Sequence, residues 1–79
     1  SIMNSLIILP QEIESANLAV ITGERLAYVR EFHQFAAGDI IEIGILNASR
    51  GYAKVIKFNE LCLQLKVLQT APSLRKEPL

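Results

Sequence analysis

Apolar residues in this chain follow two different periods, and the change from one to the other divides it into elements. Residues 6–9 (LIIL) form an unbroken apolar run ended by Pro10, which suits a short strand buried on both faces. Residues 11–17 are polar and irregular and read as a connection, and 18–21 (LAVI) are β-rich. In 39–46 the isoleucines at 41, 43 and 45 fall on one face, with Ile40, Glu42 and Gly44 on the other. Gly44 in mid-strand suggests a bulge or sharp bend of the kind that lets a small sheet curl. Residues 47–51 (NASRG) are a turn by composition. In 52–58, Ala53 and Val55 lie opposite Tyr52, Lys54 and Ile56, and Asn59-Glu60 reverses the chain. In 61–68, Leu61, Leu63, Leu65 and Val67 face inward, while Cys62, Gln64 and Lys66 face outward.

Between the second and third strands the period lengthens. Residues 22–39 (TGERLAYVREFHQFAAGD) predict one capped helix: Thr22 offers a hydroxyl to the first turn, Glu24 favours its positive end, and Gly38 closes it. At about 100° per residue, Val29, Phe32 and Ala36 share one stripe, flanked by Leu26 and Tyr28. Arg30 and Gln34 point away from the stripe, and His33 sits on its border. Five short strands with tight turns are best closed into a small barrel, because an open sheet leaves edges exposed. The expectation is therefore a mainly β domain: a small closed barrel of about five strands, one mouth stoppered by the amphipathic helix.

Size and composition narrow the partners. With 79 residues the chain makes one small domain of modest stability. Ser1 and Ile2 read as a cloning remnant before an initiator Met3, residues 4–70 as the barrel domain, and 71–79 (APSLRKEPL) as a linker. Eight basic and eight acidic residues cancel, so any nucleic-acid contact must come from a local patch or a partner domain. A single cysteine, Cys62, cannot form an internal disulfide and fits a reducing cytoplasm. No apolar run approaches the ~18 residues of a membrane span.

Catalytic signals are thin. His33 and Cys62 are lone residues on unrelated elements, neither a nucleophilic pair nor a metal set, and the four glycines never form a phosphate-cradling loop. The fragment alone is not expected to be an enzyme. Two basic groupings remain: Arg30 and His33 on one helix edge with Arg25 a turn earlier, and Arg50, Lys54 and Lys57 around the NASRG turn. They read either as solvated charges balancing Glu24, Glu31 and Glu42, or as a strip contacting RNA phosphates through Arg25, Arg30, His33, Arg50 and Lys54. Tyr52 can stack on an unpaired base or serve core packing.

In order and spacing, LIILP, a short linker, TGERLAYVREFHQFAAGD and IIEIGILNASRGYAKVI resemble the N-terminal domain of the ribosomal RNA small-subunit methyltransferase E family. Gly23-Glu24 matches the family's helix opening, Phe32-His33-Gln34 its closing triplet, and Gly38-Asp39 its turn into a strand. Leu46-Asn47 and Gly51 fall at its next turn. Gln34 stands where the family has an arginine, Ala27-Tyr28 where it often has a histidine, and Ala48 where it has a turn glycine. The resemblance implies a PUA-like barrel that recognises 16S ribosomal RNA. It also implies a following knotted domain that binds S-adenosylmethionine and methylates N3 of a uridine. The parent protein would then be a cytoplasmic homodimeric rRNA methyltransferase, the isolated domain a monomer without cofactor. The alternative is a structural barrel that packs on a catalytic domain or a dimer mate without touching RNA.

Overall fold

The computed structural model describes residues 5–72; the proposed remnant and Met3, and linker residues 73–79, lie outside that range. Six strands form one curled sheet: β1 (Ser5–Ile8), β2 (Ile13–Ser15), β3 (Leu18–Ile21), β4 (Ile40–Ile45), β5 (Ser49–Phe58) and β6 (Leu63–Pro72). A one-turn 3-10 helix (Pro10–Glu12) joins β1 to β2, and α1 (Gly23–Phe32) joins β3 to β4. The spatial order is β1-β4-β5-β6-β3-β2, with β1 and β4 parallel and every other pair antiparallel.

The sheet is an open half-barrel, where a closed barrel of five strands is expected from the sequence. Its two edge strands, β1 and β2, are neighbours along the chain yet do not pair. The extra strand is β2, inside the stretch that composition marks as a connection; it pairs with β3 through an irregular register. Side chains occupy the seam instead of a backbone ladder, as described below.

The concave side holds the core. Leu6 and Ile8 of β1, Ala19 and Ile21 of β3, Ile41 and Ile43 of β4, Ala53 and Val55 of β5, and Leu63 and Leu65 of β6 are all buried there. In β4, β5 and β6 these are positions that alternation selects, whereas the run at 6–9, expected to be buried on both faces, buries Leu6 and Ile8 and leaves Ile7 53% exposed, because β1 is an edge strand with one face on the core. Leu61, expected inward, is 78% exposed, because it sits in the β5–β6 turn. There the Asn59 side-chain carbonyl accepts the N–H groups of Leu61 and Cys62 at 2.8 and 3.0 Å, and pairing begins only at Leu63. Beyond that turn β6 runs to Pro72, so Thr70 and Ala71 are strand residues paired with Gly51 and Arg50.

Curling comes from irregularities in the β5–β6 ladder, between Tyr52 and Ala53 and between Val55 and Lys57. Gly44, expected to bulge, stays in register between Ile7 and Arg50. Its use is close approach: a Cβ there would come within 3.3 Å of Ile7 Cδ1.

Helix α1 is shorter than its pattern predicts. It buries Leu26 and Val29, while Phe32, expected in the packed stripe, is 62% exposed and Ala36 also faces solvent. The Thr22 side chain makes no capping bond. At His33 the backbone is already extended (φ −136°, ψ 150°), and it is Phe35 that enters the core, 5.5 Å from the ring of Phe58. In a continued helix Phe35 would lie roughly 240° round the axis from Val29, away from the core. Burying this large ring outweighs another turn of helix. Gly38 therefore caps no helix; it occupies a tight turn at φ +96° whose N–H donates to the Val55 carbonyl at 2.7 Å. Val55 N–H in turn donates to the Asp39 carbonyl at 2.8 Å, which stitches the turn onto β5.

Leu26→Ala is expected to cost about 2–5 kcal/mol of unfolding free energy, and Phe32→Ala no more than about 0.5 kcal/mol, in urea titrations followed by circular dichroism.

Candidate nucleic-acid interface

The five residues expected to touch RNA fall in three places. Arg25, on the first turn of α1, is committed within the protein. Its Nε donates to Glu12 Oε2 at 2.9 Å, and its Nη2 donates to Glu12 Oε1 at 3.0 Å and to the Ile7 carbonyl at 2.7 Å. Glu12 Oε1 also accepts the Leu9 N–H at 2.9 Å. Because β1 turns its other carbonyl row to β4, as Ile8 does toward the Leu46 N–H, the Ile7 carbonyl faces the seam. Arg25 takes the place a pairing strand would fill. Glu12 is 8% exposed, the one buried charged residue among those described. Its hydrogen bond holds the Arg25 guanidinium above an already high ordinary pKa, against the opposing effect of partial burial.

Arg30 and His33 lie on and just beyond the helix. Arg30 is exposed; His33 is half-buried and stacks on Phe35, with ring centroids 4.8 Å apart and planes 20° from parallel. Since α1 packs on the concave side, both are separated from Arg50 and Lys54 by the thickness of the sheet.

Arg50 and Lys54 belong to the opposite, outward face. Gly51, Ala53 and Val55 of β5 turn inward, so Arg50, Tyr52 and Lys54 follow one another along the outer surface, all exposed, roughly 7 Å apart. Register adds a residue that the sequence does not single out. Lys54 stands directly opposite Lys66 of β6, and two like charges so placed repel. On the other flank, Glu42 pairs with Tyr52 and Gly44 with Arg50, while Ser5 and Ile7 of β1 pair with Glu42 and Gly44. A cleft of about 450 Å³ runs over these strands, lined by Ser5, Ile7, Glu42, Gly44, Arg50, Tyr52 and Ala71 of that face and by Leu6, Ile43, Gly51 and Thr70 between them. No ion pair joins Arg50 to a carboxylate among the described residues.

A planar aromatic side chain between two cations beside a shallow cleft can stack a base and neutralise phosphates at once. Among the described residues no three His, Cys, Asp or Glu side chains come together as a metal-binding group. Nor is any described helix long and apolar enough to cross a membrane.

No protein-family model matches this chain, nor does any protein with a curated description. Its fold is similar to part of the crystal structure of a predicted RNA methyltransferase from Thermotoga maritima. The two are 14% identical with a TM-score of 0.65, over 91% of this chain and 32% of that one. At that identity the likeness is one of fold, and this chain spans about a third of the other protein's length.

Removing either partner of the seam pair, by Arg25→Met or Glu12→Ala, is expected to cost about 2 kcal/mol. A raised pKa means that Arg25 contributes fully below its unfolded value and loses that contribution only as pH rises through the folded value, in strong alkali. The difference between wild type and Arg25→Met in urea unfolding should therefore stay flat from about pH 6 to pH 10.

Proposed function

We propose that this chain is the RNA-recognition domain of an S-adenosylmethionine-dependent 16S rRNA (uridine-N3) methyltransferase. In this reading it holds single-stranded rRNA on the outer face of its sheet, and methyl transfer takes place on another domain of the parent protein. The observation that carries it is the row Arg50, Tyr52, Lys54 with Lys66 opposite Lys54, four exposed side chains alternating charge and aromatic surface on one face. A phosphate between Lys54 and Lys66 relieves their repulsion, so the ligand supplies what the free domain lacks. Both the order of motifs along the chain and a fold shared with part of a predicted RNA methyltransferase favour this reading. Arg30 and His33, across the sheet, serve as an outlying contact for a longer RNA. Arg25 keeps the seam shut rather than meeting phosphate. The parent works in the cytoplasm as a homodimer, with S-adenosylmethionine on its methyltransferase domain.

A second reading is supported by one specific feature. Tyr28 and Phe32 form an exposed aromatic pair on α1, ring centroids 4.9 Å apart, which suits packing on a catalytic domain or dimer mate. Both uses fit one molecule, since the two surfaces lie on opposite sides of the sheet.

Three phosphate contacts on a single strand give a slope of about −2 in log K against log salt, roughly a 20-fold loss between 50 and 200 mM. Fluorescence anisotropy with a labelled 16S fragment should show this slope. Lys54→Ala should reduce it by about 0.7, and Tyr52→Ala should cost about 1–3 kcal/mol at every salt concentration. Binding unchanged by both substitutions, but lost in Arg30→Glu, would move the interface to the helix.

A further inference from the structure

We infer that the cleft beside Tyr52 is a subsite for one unpaired guanine, with Glu42 reading its Watson–Crick edge; this rests on the RNA-recognition reading above. The argument starts from two adjacent rows on the outer face. In one row Ile7, Gly44 and Arg50 lie side by side on β1, β4 and β5; in the next, Ser5, Glu42 and Tyr52 do. Ile7 and Arg50 stand on strands two apart, roughly 9.5 Å from each other, with only a glycine between them. The missing side chain leaves a slot floored by the Gly44 backbone and bounded on one side by Ile7, whose Cδ1 is 3.3 Å from where a Cβ would be.

What can fill the slot follows from its walls. Tyr52, 47% exposed, offers a ring face, Ile7 an apolar edge, and Arg50 a cation that can stack on a base or meet its 5′ or 3′ phosphate. Glu42 is directly opposite Tyr52, and its exposed carboxylate is engaged in no ion pair among the described residues. A carboxylate on a cationic, RNA-facing surface repels phosphate, so it does not serve the backbone. As a pure acceptor with two oxygens it matches a group presenting two adjacent N–H donors. Among the four bases only guanine has such an edge, N1–H beside N2–H. Adenine and cytosine each place an acceptor next to a single amino donor, and uracil flanks its one N–H with two carbonyl oxygens. A base stacked on Tyr52 with that edge toward β4 places both donors before Glu42.

The test uses the whole 79-residue chain and labelled octamers of uridine carrying one central G, A, C or inosine, read by fluorescence anisotropy at low salt. The guanine octamer should bind about tenfold more tightly than the A, C or all-U octamers. Inosine, which lacks the N2 amino group, should fall between them. Glu42→Gln should bring all five octamers within about twofold of one another, with unchanged circular dichroism. Equal binding of all octamers by the wild-type chain would overturn the guanine subsite and leave the RNA reading standing, as would inosine equal to guanine or a preference that survives Glu42→Gln. No binding of any octamer would overturn both.

Discussion

A six-stranded sheet of this size could satisfy its edges by closing on itself, and this one does not. The gap between β1 and β2 is held by two side chains, Arg25 and Glu12. Two bonds run from one guanidinium to one carboxylate, with a third to the Ile7 carbonyl and a fourth from the Leu9 N–H. Everything else depends on this clasp. It ties the first turn of α1 to the turn between the edge strands and gives the free β-edge carbonyl of Ile7 a partner. Glu12 is buried and Arg25 partly so, and every bond the pair makes offsets the cost of withdrawing its charges from water.

The two sides of the sheet differ in what they carry. The helix and its acidic residues, Glu24 and Glu31, lie over the concave side, while Arg50, Lys54 and Lys66 face outward. A chain with no net charge thus presents a local cluster of cations, Arg50, Lys54 and Lys66, on one face of its sheet, with Glu42 at the cluster's edge.

Much of this was legible from the residues. Alternation picks out Ile41, Ile43, Ala53, Val55, Leu63 and Leu65 as one-sided positions, all of them core, and the reversal at Asn59 stands in its place, but the turn expected over 47–51 is confined to Leu46–Ala48, with Ser49, Arg50 and Gly51 already in β5. The seam was hidden for a definite reason. Glu12 lies in a polar stretch that looks like solvent-exposed linker, and its partner is thirteen positions away on another element. The helix end was misjudged because local periodicity cannot weigh a turn of helix against Phe35 meeting Phe58, a contact across the fold. At the candidate interface, Tyr52 and Lys54 share a side by one strand's alternation, whereas Arg50, which composition assigns to the NASRG turn, joins them because β5 begins at Ser49. Lys66 and Glu42 join them only through register, which no single segment carries.

The parallel pairing of β1 with β4 carries a kinetic implication. Strands β4, β5 and β6 are joined by short turns and can zip together locally, whereas β1 must wait for a loop of about 30 residues, containing α1, to close. The amino-terminal strand therefore docks after the β4–β5–β6 meander. The slot over Gly44, whose outer wall is Ile7, opens whenever that strand detaches. Amide exchange along β1 should accordingly outpace that of β5, which would make the grip on a bound strand a matter of how often its own wall is in place.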